Sequence, residues 1–301
     1  MKTIFNLTRP ISWSSLVLVI HDASKARPSH SAGQKGGDIM SGSISSGAHV
    51  PSTAQNIVSI FGLLFAGFSY TLFLLTFTMF ALRVSGVWTP DGVNVGIASS
   101  FLVNFVLVLV FAVQHTIMAR AGFKIGWSRI VSPHLERSTF VLFSSLSMAG
   151  IVFLWQPISG HVWEVNSTLG QVFLYSLFGL GYLGVVASTF LIDHFYLFGL
   201  KQAWSNFKGH AIPRAEFKEP WPYKKVRHPM MTCVLVMMWA TPSMSLSQAF
   251  LAGLFTLYVF VGTVFEEKEL QKELGVVYEN YQKRVPKLFP MPKAFRKKIN
   301  I

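Results

Sequence analysis

Arg227, His228, Glu266 and Glu267 are the residues of this chain best suited to chemistry on a charged small molecule. Arg227 and His228 end the segment Tyr223-Lys-Lys-Val-Arg-His-Pro229, whose proline opens a short apolar run. Glu266 and Glu267 follow the next, longer apolar run, and Tyr278 and Tyr281 come after them, three residues apart. If the two runs fold back on each other as a hairpin, cations at its beginning meet acids at its end. A site offering both signs of charge and tyrosine rings suits a zwitterion that carries a further cation. S-adenosylmethionine has that character. It presents a carboxylate for Arg227 or His228, an amine and ribose hydroxyls for Glu266 or Glu267, and an adenine for Tyr278, Tyr281 or an apolar surface. No glycine-rich loop opens a helix after a strand, so a Rossmann-type site for that ligand is excluded.

The elements that must position these groups are membrane helices. Of 301 residues 51% are hydrophobic and only 13% charged, and Phe alone occurs 27 times, which is too apolar for a water-soluble domain of this length. Apolar runs at Ile57 to Leu82, Val95 to Ala119, Thr139 to Trp155, Leu169 to Ile192 and Leu246 to Phe265 approach the ~20 residues needed to cross hydrocarbon. A sixth run, Met230 to Ala240, is too short for a full crossing, and Thr241-Pro242-Ser243 turns it into the last long one. The expected fold is all-α: a polytopic bundle of five long helices with a short helical hairpin arm. Three parts follow: a disordered extension over 1–50, a membrane domain over 51–290 and a basic tail over 291–301.

Charge orients this bundle. Lys and Arg concentrate in loop 120–137 (Arg120, Lys124, Arg129, Arg137), in segment 201–228 (among them Lys201, Arg214, Lys218, Lys224 and Lys225) and in the tail, while 156–168 and 241–245 hold none. The positive-inside rule then puts both termini in the cytoplasm, with Arg83 as one exception. The net charge of +13 reads as topology plus attraction to anionic membrane lipid, not as nucleic-acid binding. Cys233 is the single cysteine, which excludes an intrachain disulfide and a cysteine-rich metal cluster, and its place in an apolar arm reads as packing. No metal site and no obligate protein partner are expected.

Residues 1–50 are rich in Ser, Gly and Lys, with one apolar patch at Ile11 to Ile20 and no small-residue cleavage motif after it. Met40 precedes a polar stretch typical of a start before a first membrane helix. An intact mass of native protein that includes residues 1–39 would remove Met40 as the starting residue.

Further polar residues gather at the same depth. Gln114 and His115 end the second long run, Glu136 and Arg137 begin the third, and Asp193 and His194 end the fourth. Intramembrane polar groups commonly face a bundle interior or a site. Each has a structural reading as well. Gln114 and His115 can bond a neighbouring helix, and Ser132-Pro133 can cap the helix that Glu136 begins. Asp193 and His194 can pair with each other, Lys224 and Lys225 can sit at the membrane surface, and Tyr278 and Tyr281 can belong to an interfacial aromatic belt.

Tyr-x-x-Val-Arg-His-Pro from Tyr223, the short hairpin, Glu266-Glu-x-x-Leu270, Gly275-x-x-Tyr278-x-x-Tyr281 and Val285-Pro-x-x-x-Pro290 resemble the integral membrane methyltransferases typified by isoprenylcysteine carboxyl methyltransferase. Upstream, Ala112-Val-Gln-His-Thr-Ile-Met-Ala-Arg120, Glu136-Arg-Ser-Thr-Phe-Val-Leu142, Trp155-Gln-Pro157, the stretch Leu191 to Trp204 and Trp239-Ala-Thr-Pro242 are similar to the nurim-related methanethiol S-methyltransferases. The resemblance spans about residues 57–290. It departs at Tyr196, where an acid is expected, and at Ser247-Gln248, in place of Gly-His on the far side of the hairpin.

The resemblance implies S-adenosylmethionine held between hairpin and tail, and attack on its methyl group by the sulfur of methanethiol to give dimethyl sulfide. Such an enzyme mainly aligns its reactants and deprotonates a thiol whose pKa lies near or above ~8.5. His115, Asp193 and His194 are the candidate bases, and their numbering does not choose among them. Three alternatives stay open: a prenyl-cysteine or lipid methyltransferase, a non-catalytic membrane protein like nurim, and a nicotinamide-dependent membrane reductase.

Overall fold

The computed structural model describes residues 53–90, 92, 95–212 and 220–290. The expected N-terminal extension, the basic tail, Arg214 and Lys218 lie outside the described residues. Five long helices carry the architecture: α1 (Thr53–Ser85), α2 (Ile97–Ala119), α4 (Glu136–Leu154), α5 (Thr168–Ile192) and α9 (Leu246–Leu274). All five are long and apolar enough to cross a membrane. Short helices α3 (Ala121–Trp127), α6 (His194–Leu197) and α7 (Leu200–Phe207) lie at the Lys- and Arg-rich end, where α8 (Pro229–Trp239) begins and α10 (Val276–Arg284) follows α9. The chain is an all-α polytopic membrane bundle.

Leu, Phe, Val and Ile cover the outward faces of the long helices, as with Phe61, Leu64 and Phe68 on α1, which suits contact with lipid. The inward faces pack α1 on α4, α2 on α4 and α5 on α8 around Phe80, Phe111, Ile151, Met237, Leu251 and Phe255. Helical hydroxyls inside the bundle return their protons to the backbone: Ser69 donates to the Phe65 carbonyl at 2.8 Å, Ser145 to Val141 at 2.8 Å and Ser188 to Gly184 at 2.7 Å.

Helix α8 has 11 residues, enough for ~16 Å, about half of the hydrocarbon thickness. Its last residue confirms the depth. The Trp239 indole donates to Thr256 Oγ1 at 2.9 Å, and Thr256 lies ten residues into α9, roughly 15 Å from its start. The expected tight turn at 241–243 is instead an extended return. Strand β2 (Ser243–Ser245) pairs antiparallel with β1 (His161–Glu164), which comes from the loop before α5. Trp163 stacks on Trp239 and donates to the Thr241 carbonyl at 3.0 Å, while the Val165 amide bonds Pro242 O at 2.9 Å. Backbone below the end of a half-length helix must find partners inside the protein, and the β1–β2 pair supplies them.

This end of the bundle is pinned by polar contacts. Asn104 exchanges two hydrogen bonds with the Gln156 backbone, at 2.7 and 2.8 Å. The Trp155 indole donates to Ser247 Oγ at 2.8 Å, and Gln248 donates to the Val84 carbonyl. Ser247 and Gln248 therefore serve a structural join remote from the charged end. Arg83, the exception to the charge pattern, donates to the Val152 carbonyl at 3.0 Å.

Helix α5 approaches α8 at two glycines. A Cβ on Gly181 would lie 2.9 Å from the Met237 amide nitrogen and 3.0 Å from the Cys233 carbonyl oxygen, and one on Gly184 would lie 2.5 Å from Cys233 Sγ. Cys233 is thus a packing residue at a close helix crossing. Gly181→Leu should push α8 off α5 and lower the unfolding temperature in detergent, by an amount matching about 1–3 kcal/mol of overpacking. An unchanged unfolding temperature would contradict the crossing.

Candidate active site

Pro229 holds the first helical position of α8, a place where its missing amide costs nothing, and this sets Arg227 and His228 just before the helix. Their backbone joins the chain beyond α10: the Arg227 amide donates to Pro286 O at 2.8 Å and the His228 amide to Lys287 O at 3.0 Å. The Arg227 guanidinium clamps Glu267 through Nε at 2.7 Å and Nη2 at 3.3 Å, while Nη1 donates to the carbonyls of Gln282 at 3.0 Å and Val285 at 2.7 Å. One buried side chain thereby ties together α8, α9 and the tail, a task suited to the planar fork of arginine.

Glu267 also meets His228 Nε2 at 3.0 Å, Gln282 Nε2 at 3.2 Å and Lys287 Nζ at 3.8 Å. Glu266 is placed differently. Its carboxylate lies 3.5 Å from His228 Nδ1, is partly exposed, and exerts its charge on Tyr223, Tyr258 and Tyr278. Two adjacent acids, facing about 100° apart on a helix, thus divide the work: Glu267 closes the lock and Glu266 looks out of it.

Tyr278 and Tyr281 are fully buried with Leu270 and Val285. The Tyr281 hydroxyl donates to the Tyr223 carbonyl at 2.6 Å, joining the tail to the segment before α8. The Tyr278 hydroxyl is buried without a hydrogen-bond partner. Burial pushes its pKa well up, and the charges of Glu267 and Glu266 push the same way, so it stays a donor. Burial with Glu266 nearby does the same to Tyr223.

His115 lies on the face of α2 that meets α4 and α9. Its ring stacks on Phe111 with centroids 5.4 Å apart and packs against Phe140 at 4.8 Å and Tyr258 at 6.4 Å. Ser144 Oγ lies 3.3 Å from His115 Nδ1, and the Tyr258 hydroxyl bonds the Thr116 side chain. Tyr258 thus touches this ring and feels the charge of Glu266.

Asp193 and His194 take their partners elsewhere. Asp193 caps α6, accepting from the Tyr196 amide at 3.2 Å, and pairs with Lys201 at 2.5 Å. His194 has both ring nitrogens engaged, Nδ1 with Thr189 Oγ1 at 2.7 Å and Nε2 with the Tyr70 hydroxyl at 2.8 Å, and it stacks on Phe190. The Asp193 side chain therefore does not orient the His194 ring. Burial lowers the His194 pKa from 6.5, against the opposing charge of Asp193. As pH falls below 6.5 the unfolded chain takes up the proton first, so stability is lost from there down to the depressed folded value. His194→Gln should make the acid-side fall in unfolding temperature shallower, and an identical pH profile would contradict the assignment.

The other polar residues form joins. Gln114 bonds Met118 Sδ at 3.1 Å and accepts from Ser147 at 3.3 Å, linking α2 to α4. Glu136 pairs with the buried Lys124 at 3.4 Å, and the Arg137 guanidinium lies over the Tyr196 ring at 5.1 Å, so Tyr196 meets a cation where an acid was expected. Ser132-Pro133 does not cap α4: the N-cap is Leu135, whose side chain makes no capping bond. Ser132 instead accepts the Leu135 amide in a preceding turn.

Arg227, His228, Glu266, Glu267, Tyr278 and Tyr281 are brought together, His115 is linked to them through Tyr258, and Asp193 and His194 are bonded apart from them. Sequence reasoning missed Tyr258, Gln282 and the Val285 carbonyl. Tyr258 was within reach, eight residues before Glu266 and so near the same helix face. A carbonyl acceptor has no side-chain signature.

This geometry accompanies close similarity to known proteins. The methanethiol S-methyltransferase of Pseudomonas deceptionensis is 41% identical over 244 residues, covering 80% of this chain and 92% of that enzyme. The methanethiol S-methyltransferase of Mycobacterium tuberculosis is 38% identical over 234 residues, 76% of this chain and 96% of that enzyme. Nurim of Rattus norvegicus is 27% identical over 184 residues, 58% of this chain and 70% of nurim. No family model matches the chain, and no solved structure matches it. Identity at this level, over three quarters or more of the chain, makes the chain a member of the nurim-related methanethiol S-methyltransferase family.

Proposed function

We propose that the protein methylates methanethiol to dimethyl sulfide, with S-adenosylmethionine as donor, at the Lys- and Arg-rich end of the bundle, which the positive-inside rule assigns to the cytoplasm. The observation that carries this reading is a partly exposed Glu266 whose charge acts both on the buried Tyr278 hydroxyl, which has no hydrogen-bond partner, and on Tyr258, which packs against His115. These groups fit the donor. Glu266 offers a carboxylate to its ammonium or ribose hydroxyls, His228 a ring N–H to its carboxylate, and the Tyr278 hydroxyl, which has no partner, a hydrogen-bond donor. Arg227 and Glu267 hold the tail against the hairpin and so shape the site, with four of the five guanidinium N–H groups already engaged. When bound, S-adenosylmethionine supplies an electrophilic methyl group on a sulfonium sulfur.

The work left to the protein is to exclude water, align a small thiol and take its proton. His115 is the base: its ring is held by aromatic faces, one nitrogen meets Ser144, and the other is free to accept. Headspace detection of dimethyl sulfide from purified protein, methanethiol and S-adenosylmethionine tests the reading. Titration calorimetry with S-adenosylmethionine and with a nicotinamide nucleotide separates it from a reductase. A nurim-like non-catalytic role is favoured by the engagement of Arg227 in structure, and it predicts neither product nor binding.

A further inference from the structure

We propose that Lys287 and Glu266 together grip the amino-acid head of the methyl donor, Lys287 taking its carboxylate and Glu266 its ammonium, an inference that rests on the S-adenosylmethionine reading. The two charges of an amino-acid head stand on one carbon atom. The acid and the cation that receive them must therefore be near neighbours, each still able to bond. Glu266 supplies the acid: it is partly exposed, with its carboxylate 3.5 Å from His228 Nδ1. The basic groups whose charge acts on Glu266 are His228 and Lys287. His228 contributes at most one ring N–H to a ligand, since its Nε2 meets Glu267 at 3.0 Å. Arg227 is buried, with its guanidinium committed to Glu267 and to the carbonyls of Gln282 and Val285. The charge for a carboxylate is left to Lys287.

Lys287 is loosely held. Its ammonium lies 3.8 Å from Glu267, beyond hydrogen-bond range, and donates no hydrogen bond among the described residues. Glu267 does not need it, because that carboxylate is already supplied by Arg227, His228 and Gln282. The backbone around Lys287 is fixed where the side chain is not. Pro286 O and Lys287 O accept the amides of Arg227 and His228 at 2.8 and 3.0 Å, Val285 and Leu288 are buried, and Thr232 donates to the Leu288 carbonyl. A lysine on this pinned stretch carries a flexible stem and rotatable donors. Its ammonium can swing from Glu267 to an incoming carboxylate while the chain stays in place, and Glu267 keeps its other partners.

The test is titration calorimetry on the full chain in lipid nanodiscs with two ligands, S-adenosylhomocysteine and its decarboxylated analogue, which keeps the amine. The wild type should bind S-adenosylhomocysteine about tenfold tighter, the worth of one charge-assisted bond. Lys287→Gln should lose that preference by weakening S-adenosylhomocysteine alone, while Lys287→Arg, which keeps the charge, should retain it. Both ligands are titrated into the same preparation, so a partly unfolded variant does not alter the ratio of their Kd values. Equal affinities in the wild type, a preference that survives Lys287→Gln, or one that Lys287→Arg also loses overturns the proposal while leaving the headspace result standing. A wild type that binds neither ligand and makes no dimethyl sulfide overturns the functional reading, and with it the role of Lys287.

Discussion

Glu267→Ala is expected to cost about 3–5 kcal/mol and to free the tail from the bundle, because it strands the Arg227 guanidinium in a buried site without its counter-charge. The carboxylate accepts from Arg227 twice and from His228 and Gln282 once each. No neutral side chain offers that many acceptors. Glu267→Gln should therefore fail too, since its amide would turn N–H groups toward the donors of Arg227 or Gln282. Arg227→Lys should also fail, because an ammonium cannot span Glu267 and the carbonyls of Gln282 and Val285 together. Limited proteolysis checks this: cleavage near residues 275–290 should appear at temperatures where the wild type resists, and S-adenosylmethionine binding should vanish with it. Glu266→Gln is the contrasting variant. It should leave the unfolding temperature close to wild type and weaken S-adenosylmethionine binding alone. Equal thermal losses for the two acids would show that the division of labour between them is wrong.

His115→Ala should lower turnover by about 10²–10⁴-fold, the range of a lost general base, while the Kd for S-adenosylmethionine changes little. The separation follows from position. His115 touches Phe111, Phe140, Tyr258 and Ser144, and none of the Arg227 cluster. Raising pH should partly restore the variant, because thiolate formed in solution bypasses the missing base. Asp193→Ala, which removes a helix cap and the pair with Lys201, should leave turnover near wild type. A large turnover loss in Asp193→Ala with none in His115→Ala would move the base to the other side of the bundle.

Much of this is legible in the sequence. Five apolar runs of near-membrane length became five long helices, because in hydrocarbon a backbone has few ways to satisfy its polar groups. Arg227-His228-Pro229 and Glu266-Glu267 bracket two runs joined by a few residues, so a hairpin was expected to bring them together, and Arg227 and His228 do meet Glu267. The shortness of the Met230 to Ala240 run was visible too. The strand pair that completes it was not, because β1 comes from a loop some 80 residues earlier and only tertiary contact brings Trp163 under Trp239.

The amino-acid sequence by itself determined the membrane class, the helical spans, the charged end and the set of ionisable residues from which a site is made, since each follows from local composition, periodicity and connectivity. Tertiary structure alone decided how those residues divide their duties. Glu266 and Glu267 are chemically identical neighbours, and His115 and His194 are the same side chain at the same end of the bundle. Their roles differ because Arg227 claims one acid, and because Thr189 and Tyr70 engage both nitrogens of one imidazole while Ser144 meets a single nitrogen of the other.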